Sequence, residues 1–243
     1  MPPNHCGFHR PRSLGMAMSE FPFKIIGFDL DGTLVDSALD LCPAVNHALV
    51  FAGREPVSLD TTRSLIGGGA RRMLQRALDV TGGQVEPDHF EELHMALLEH
   101  YTANIAANTL PYPGCVETLD ALLERGCKLA VVTNKAEGLA RQLIDELELA
   151  DRFASIMGGD TLGRERAKPA PDMIHETIAR CDGGSFAMVG DSSFDVLAAR
   201  NAGQKVVVFS FGYHDVPPEQ LGADALIHHY SELLPALRNI AAS

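Results

Sequence analysis

The apolar positions of this chain change rhythm twice. A short apolar run (Ile25, Ile26, Phe28) ends in two acidic residues, Asp29 and Asp31, and a turn at Gly32 and Thr33. Such a run, bounded by a turn, predicts a buried strand. From 38 to 108 the spacing is helical instead. Leu41, Cys42, Val45, Ala48 and Leu49 form one stripe, with Pro43 in its first turn or at a kink. Ala70, Met73, Leu74, Ala77 and Leu78 form a second stripe, and Phe90, Leu93, Leu97 and Leu98 a third. Beyond LPYPG at 110–114, helix and strand alternate. Helices are predicted over 116–125, 138–149, 172–181 and 194–202, and strands over 128–133, 154–157, 186–189, 206–210 and 225–227.

Alternation of this kind predicts an α/β fold: a Rossmann-like, mainly parallel sheet with helices on both faces. The helical excursion predicts an inserted all-helical cap domain. The expected core is 22–36 joined to 113–243, and the expected cap is 37–112. Hinge linkers fall at Val35-Asp36-Ser37 and at 110–113. Residues 1–21 read as a disordered tail or a start-site artefact, since Met16 and Met18 are alternative initiators. A transit peptide is the competing reading of that tail.

Composition narrows the function. At 243 residues, 46% hydrophobic and 21% charged, the chain suits a soluble protein with a sizeable core. Its apolar stretches fall short of the roughly 18 residues that cross a bilayer, and the tail lacks the apolar segment of a secretory signal. Five scattered cysteines (Cys6, Cys42, Cys115, Cys127, Cys181) suit free thiols in a reducing cytoplasm. A net charge of −12 argues against a nucleic-acid partner. It also means that an anionic ligand needs a bound cation and a few positioned Lys or Arg residues to reverse the local field.

Candidates for that role stand at the carboxyl ends of the predicted strands, where ligands bind in open α/β sheets. Asp29 and Asp31 would share one side of a regular strand, but Gly32 lets the chain turn, so their roles can separate. Thr133 and Asn134 end the strand over 128–133, where a hydroxyl and backbone N–H groups can hold a phosphoryl oxygen; the competing reading is a helix cap. Lys168 sits before Pro169 and Pro171, a phosphate clamp or a solvated surface charge. Asp191 and Asp195 follow Gly190, as oxygen ligands for Mg²⁺ or as a capping pair opening a helix.

Together FDLDGTLVDS at 28–37, Thr133, Lys168 and GDSSFD at 190–195 resemble the four motifs of the haloacid dehalogenase superfamily. The resemblance implies that Asp29 is a nucleophile forming an aspartyl-phosphate and that Asp31 is the general acid and base. It implies Mg²⁺ held by Asp29, the Asp31 carbonyl and Asp191. Thr133, Asn134 and Lys168 would hold the phosphoryl group, with Asp195 orienting Lys168 or a metal-bound water. As an acid Asp31 must start protonated, which neighbouring carboxylates would favour. An acid at position 31 favours phosphoryl transfer over dehalogenation.

Within the predicted cap, LIGGGARRML at 65–74 and the return linker look similar to bacterial phosphoglycolate phosphatases, which hydrolyse 2-phosphoglycolate to glycolate. That family commonly carries Asn where Gly68 stands. Gly67, Gly68 and Gly69 can present N–H groups to an anion or simply separate two helices. Of Arg71 and Arg72, one is expected in the cleft and one in solvent. Another small phosphate ester, a sugar-phosphate mutase and a catalytically silent binding module remain as alternatives. A monomer or homodimer, with no membrane or nucleic-acid partner, completes the expectation.

Overall fold

Val, Ile and Phe dominate the central strands because both faces of those strands are covered, which demands a continuous apolar run. The computed structural model describes residues 21–242, so the expected tail lies outside the described residues except for Phe21, which is buried. Every residue of β1 (Ile25–Phe28) and β6 (Phe186–Gly190) is buried. With β4 (Lys128–Val132), β5 (Phe153–Met157), β7 (Lys205–Phe209) and β8 (Ala225–Ile227) they form one parallel sheet, in the order β5-β4-β1-β6-β7-β8.

Successive strand residues point to opposite faces, and two apolar clusters follow from that. Ile26, Phe28, Leu129 and Val131 pack with α5 (Cys115–Leu123), α6 (Glu137–Glu146) and α9 (Leu233–Ala241). Ile25, Ala130, Val132 and Met188 pack with α7 (Asp172–Arg180) and α8 (Ser193–Asn201) on the other face. Gly27 lies at the centre of the sheet because a Cβ there would approach the Phe186 ring to 2.4 Å.

Between β2 (Val35–Asp36) and β3 (Leu110–Pro111), an antiparallel pair, lie four helices: α1 (Ala38–Phe51), α2 (Leu59–Leu65), α3 (Ala70–Val80) and α4 (Pro87–Ala103). The three apolar stripes read from sequence supply the buried faces of α1, α3 and α4. Pro43 lies inside α1, beyond its first turn. The chain's exit and return are locked together by Asp40, which is 2% exposed. Its carboxylate accepts hydrogen bonds from the N–H groups of Asn108 and Thr109, the Asn108 amide and the Thr109 hydroxyl, at 2.7–3.0 Å. No helix among the described residues is long and apolar enough to cross a membrane.

Candidate active site

β1, β4 and β6 are neighbours, so the loops after them converge. After β1 the chain turns tightly, with the N–H groups of Thr33, Leu34 and Val35 all reaching the Leu30 carbonyl at 2.9–3.3 Å. Gly32 makes the turn at φ +87°, and a Cβ there would lie 2.4 Å from Asp191 Oδ2. The turn sends Asp29 and Asp31 to different partners.

Asp29 belongs to a buried charged cluster. Its Oδ1 lies 3.0 Å from Lys168 Nζ but accepts no aligned hydrogen bond. Lys168 Nζ donates to Asp195 Oδ1 at 2.6 Å, and the Lys168 carbonyl is held by the Asn134 amide at 2.9 Å. Asp195 Oδ2 accepts from the N–H groups of Asp191 and Ser192 and from the Ser192 hydroxyl. Asp195 thus closes a capping box at the start of α8 and fixes Lys168 at once. Asp191 is oriented by the Thr33 hydroxyl at 2.9 Å and the Tyr213 N–H at 2.6 Å.

Burial, the largest cause, lifts the Asp29 carboxyl from its ordinary 3.8; Lys168 pulls it down, Asp195 pushes it up, and it settles at about 6. Burial, with Asp195 and Asp29 behind it, pushes Asp191 well above the usual range. For Lys168, burial favours the neutral amine, but Asp195 and Asp29 outweigh it and the ammonium is stabilised. Asp29, Asp191 and Asp195 each bring a carboxylate oxygen within 4.8 Å of the others. Three carboxylates against one ammonium leave unbalanced negative charge in a desolvated place. That charge, the all-oxygen donor set and the orphaned Asp29 Oδ1 all fit a hard divalent cation such as Mg²⁺.

Asp31 sits apart. Both its oxygens lie 3.0 Å from Lys135 Nζ, and the Ser37 hydroxyl donates to Oδ1 at 2.6 Å. It therefore faces an ammonium, not the carboxylates expected to favour its protonated form. Lys135 lies 4.5 Å from the ring centre of Tyr101 on α4. Burial works against its charge, but Asp31 and Tyr101 overcome that and raise its pKa.

A cavity of about 370 Å³ opens over this floor, lined by Asp29, Asp31, Thr133, Asn134, Lys168 and Asp191 from below. Thr133 is buried, its hydroxyl accepting the Lys135 N–H at 3.2 Å. Gly67, Gly68, Gly69, Arg71 and Arg72 line the cavity from the helical side. All three glycines have positive φ, and a Cβ on Gly69 would stand 2.9 Å from the Asn134 carbonyl oxygen. Arg71 is held by Glu91 and lies 4.7 Å over the Phe90 ring, while Arg72 lies 4.9 Å over Phe194. Both arginines border the cavity, Arg71 half-buried and Arg72 exposed to solvent. Asp195 lies behind the floor, 0% exposed. Sequence reasoning missed Lys135, Thr33, Ser37, Tyr101 and Tyr213. Lys135 carried a signal, standing two residues past Thr133 at a strand end, and Thr33 and Ser37 lie within FDLDGTLVDS; Tyr101 and Tyr213 carried none.

The family model of haloacid dehalogenase-like hydrolases matches residues 26–209, which hold every residue of this floor. The chain belongs to that family. Among similar members of the haloacid dehalogenase-like family, a phosphoglycolate phosphatase of Agrobacterium fabrum is 43% identical, over 86% of this chain and 90% of that protein. One of Caulobacter vibrioides is 38% identical, over 90% of this chain and 92% of its own. A crystal structure described as a predicted phosphoglycolate phosphatase of Haemophilus somnus superposes with a TM-score of 0.82 at 32% identity. It covers 88% of this chain and 97% of that one.

Proposed function

We propose that this hydrolase is a Mg²⁺-dependent phosphomonoesterase that converts 2-phosphoglycolate to glycolate and phosphate. The observation that carries the reading is the buried Asp29–Lys168–Asp191 cluster, open to a cavity that the helical insertion roofs. The Asp29 carboxylate attacks phosphorus, and the bond to the leaving alkoxide breaks. Asp31 gives its proton to that alkoxide, and Lys135 stabilises the carboxylate it becomes. Asp31 then takes a proton from the water that cleaves the aspartyl-phosphate. Lys168, Thr133 and Asn134 hold the phosphoryl oxygens, and Asp195 keeps Lys168 charged and in place.

Asp29, the Asp31 carbonyl and Asp191 would hold Mg²⁺, which when bound offsets the repulsion between two anions. In this reading 22–36 with 113–243 is the catalytic core. The segment 37–112 is a cap that moves about the β2–β3 crossing, its Gly67–Arg72 segment contacting substrate. The free, buried Cys115, Cys127 and Cys181 suit a cytoplasmic enzyme. The substrate comes from the relatives: the phosphoglycolate phosphatases cover nearly their whole length with this chain.

One observation favours a second reading, an ester larger than 2-phosphoglycolate. The cavity of about 370 Å³ falls in the range of roughly 300–1,000 Å³ that takes drug-sized ligands. Phosphate release from 2-phosphoglycolate beside sugar phosphates, nucleotides and pyrophosphate, with Mg²⁺ and then with a chelator, decides between them. The expected result is a kcat/KM for 2-phosphoglycolate well above the panel and silence in chelator. A higher kcat/KM for a sugar phosphate would transfer the assignment to it, and full activity in chelator would refute the metal.

A further inference from the structure

The carboxyl assigned to move the proton is not held by the sheet domain alone. Ser37, fully buried just ahead of α1, donates to Asp31 Oδ1 at 2.6 Å. Lys135 Nζ donates to both Asp31 oxygens at 3.0 Å, and among the described residues it donates to nothing else. An ammonium on a flexible four-carbon stem needs more than one ion pair to keep a single position. Lys135 is nearly buried, and the ring of Tyr101 closes over it with its centre 4.5 Å from Nζ.

Tyr101 belongs to the last part of α4, on the helical insertion, and is 1% exposed. Its hydroxyl has no hydrogen-bond partner among the described residues. What it brings to Lys135 is therefore the face of its ring. That face attracts an ammonium and keeps water from it, which strengthens the pull between Lys135 and Asp31. The insertion thus reaches Asp31 twice, directly through Ser37 and through Lys135 by way of Tyr101.

We propose that Tyr101 is a positioning residue for protonation of the leaving group: its ring seats Lys135, and Lys135 holds the Asp31 carboxyl in its working orientation. This deepens the phosphatase reading and rests on it. The proton passes from the Asp31 carboxyl to the ester oxygen as the bond from that oxygen to phosphorus breaks. An alkoxide needs that proton to leave, whereas p-nitrophenolate departs as the anion. A shift of about 1 Å in a group that must meet a reacting atom can cost on the order of a hundredfold in rate. Loss of the ring therefore penalises alkyl esters and spares the aryl ester.

The test is kcat/KM for 2-phosphoglycolate and for p-nitrophenyl phosphate, a quantity that ends at departure of the leaving group and omits hydrolysis of the aspartyl-phosphate. The alkyl-to-aryl ratio cancels any loss of folded protein, because both esters meet the same sample. It is expected to fall at least tenfold in Tyr101→Leu and Tyr101→Met and to recover in Tyr101→Phe, which keeps the ring. Adding Tyr101→Leu to Lys135→Met should lower it no further, since the ring acts through that lysine. A smaller fall in both ring-less variants overturns the proposal, whatever loss the two esters share. An equal fall in Tyr101→Phe, or a further fall in the double variant, overturns it as well. If the parent ignores 2-phosphoglycolate but cleaves another alkyl ester, that ester enters the ratio; the substrate assignment falls and Tyr101 is still decided. A parent that cleaves no ester removes the phosphatase reading and this proposal with it.

Discussion

Removing one charge from the floor of the cavity should make the metal-free protein more stable, not less, and the more so as pH climbs from the unfolded pKa through the native one. Burial holds the Asp29 carboxyl at about 6 against an ordinary 3.8. A group with a raised native pKa favours folding below its unfolded pKa and loses that contribution as pH climbs through the native one. At about 1.4 kcal/mol per pH unit, ionising Asp29 in place costs roughly 3 kcal/mol by pH 8. Asp29→Asn removes the cost and leaves Lys168 paired with Asp195, 2.6 Å away. In EDTA at pH 8 the variant should gain roughly 3 kcal/mol, on the order of 5–10 °C in Tm. At pH 5, between the unfolded and native pKa values, the gain should fall to roughly half, about 1.6 kcal/mol, and it should vanish only below the unfolded pKa of 3.8. His94, whose pKa burial depresses, contributes to the pH dependence with the opposite sign. The comparison must therefore be variant against parent at each pH, by thermal unfolding. Added Mg²⁺ should stabilise the parent more at pH 8 than at pH 5. An Asp29→Asn protein no more stable than its parent at pH 8, or equally stabilised at both pH values, would refute the reasoning.

Three further outcomes are expected. The same Asp29→Asn variant should lose at least roughly a thousandfold in kcat when phosphate release is followed, as for removal of any nucleophile. Asp40→Ala strips the acceptor from four donors at the root of the helical insertion and should cost roughly 3 kcal/mol in urea unfolding. Gly69→Ala meets both a φ of +87° and an Asn134 oxygen at 2.9 Å. The strain, about 1–2 kcal/mol, should appear as a fall of about tenfold in kcat/KM, and unchanged kinetics would show that the two loops need not touch.

The centre of the sheet and the cavity floor were legible because β1, β4 and β6 are buried apolar runs, each followed by a loop that carries candidate chemistry. Asp29, Thr133, Lys168 and Asp191 were flagged by local pattern and took their expected roles from the resemblance of the four motifs together. The helix α2 was not legible, since only Thr62 and Leu65 are buried on it and they make no stripe. The helix α9 was missed although Leu233, Ala236, Leu237 and Ile240 keep helical spacing. Asp31 shows the limit of local reasoning: its surroundings are set by Lys135, Ser37 and Tyr101, which lie on different elements. Arg71 shows the same limit, its guanidinium being claimed by Glu91 on the next helix.

The position of β1 has a consequence for how the chain is made. Ile25 pairs with Lys128 on one side and Phe186 on the other, so β1 has no partner until the helical insertion and α5 have followed, and only one until β6 emerges. The insertion is rich in local contacts and can condense first, while β1 waits as an unpaired apolar edge. Synthesis of this protein should therefore depend on the early helices forming fast and on β1 being shielded, and slow translation through 38–127 should lower its soluble yield.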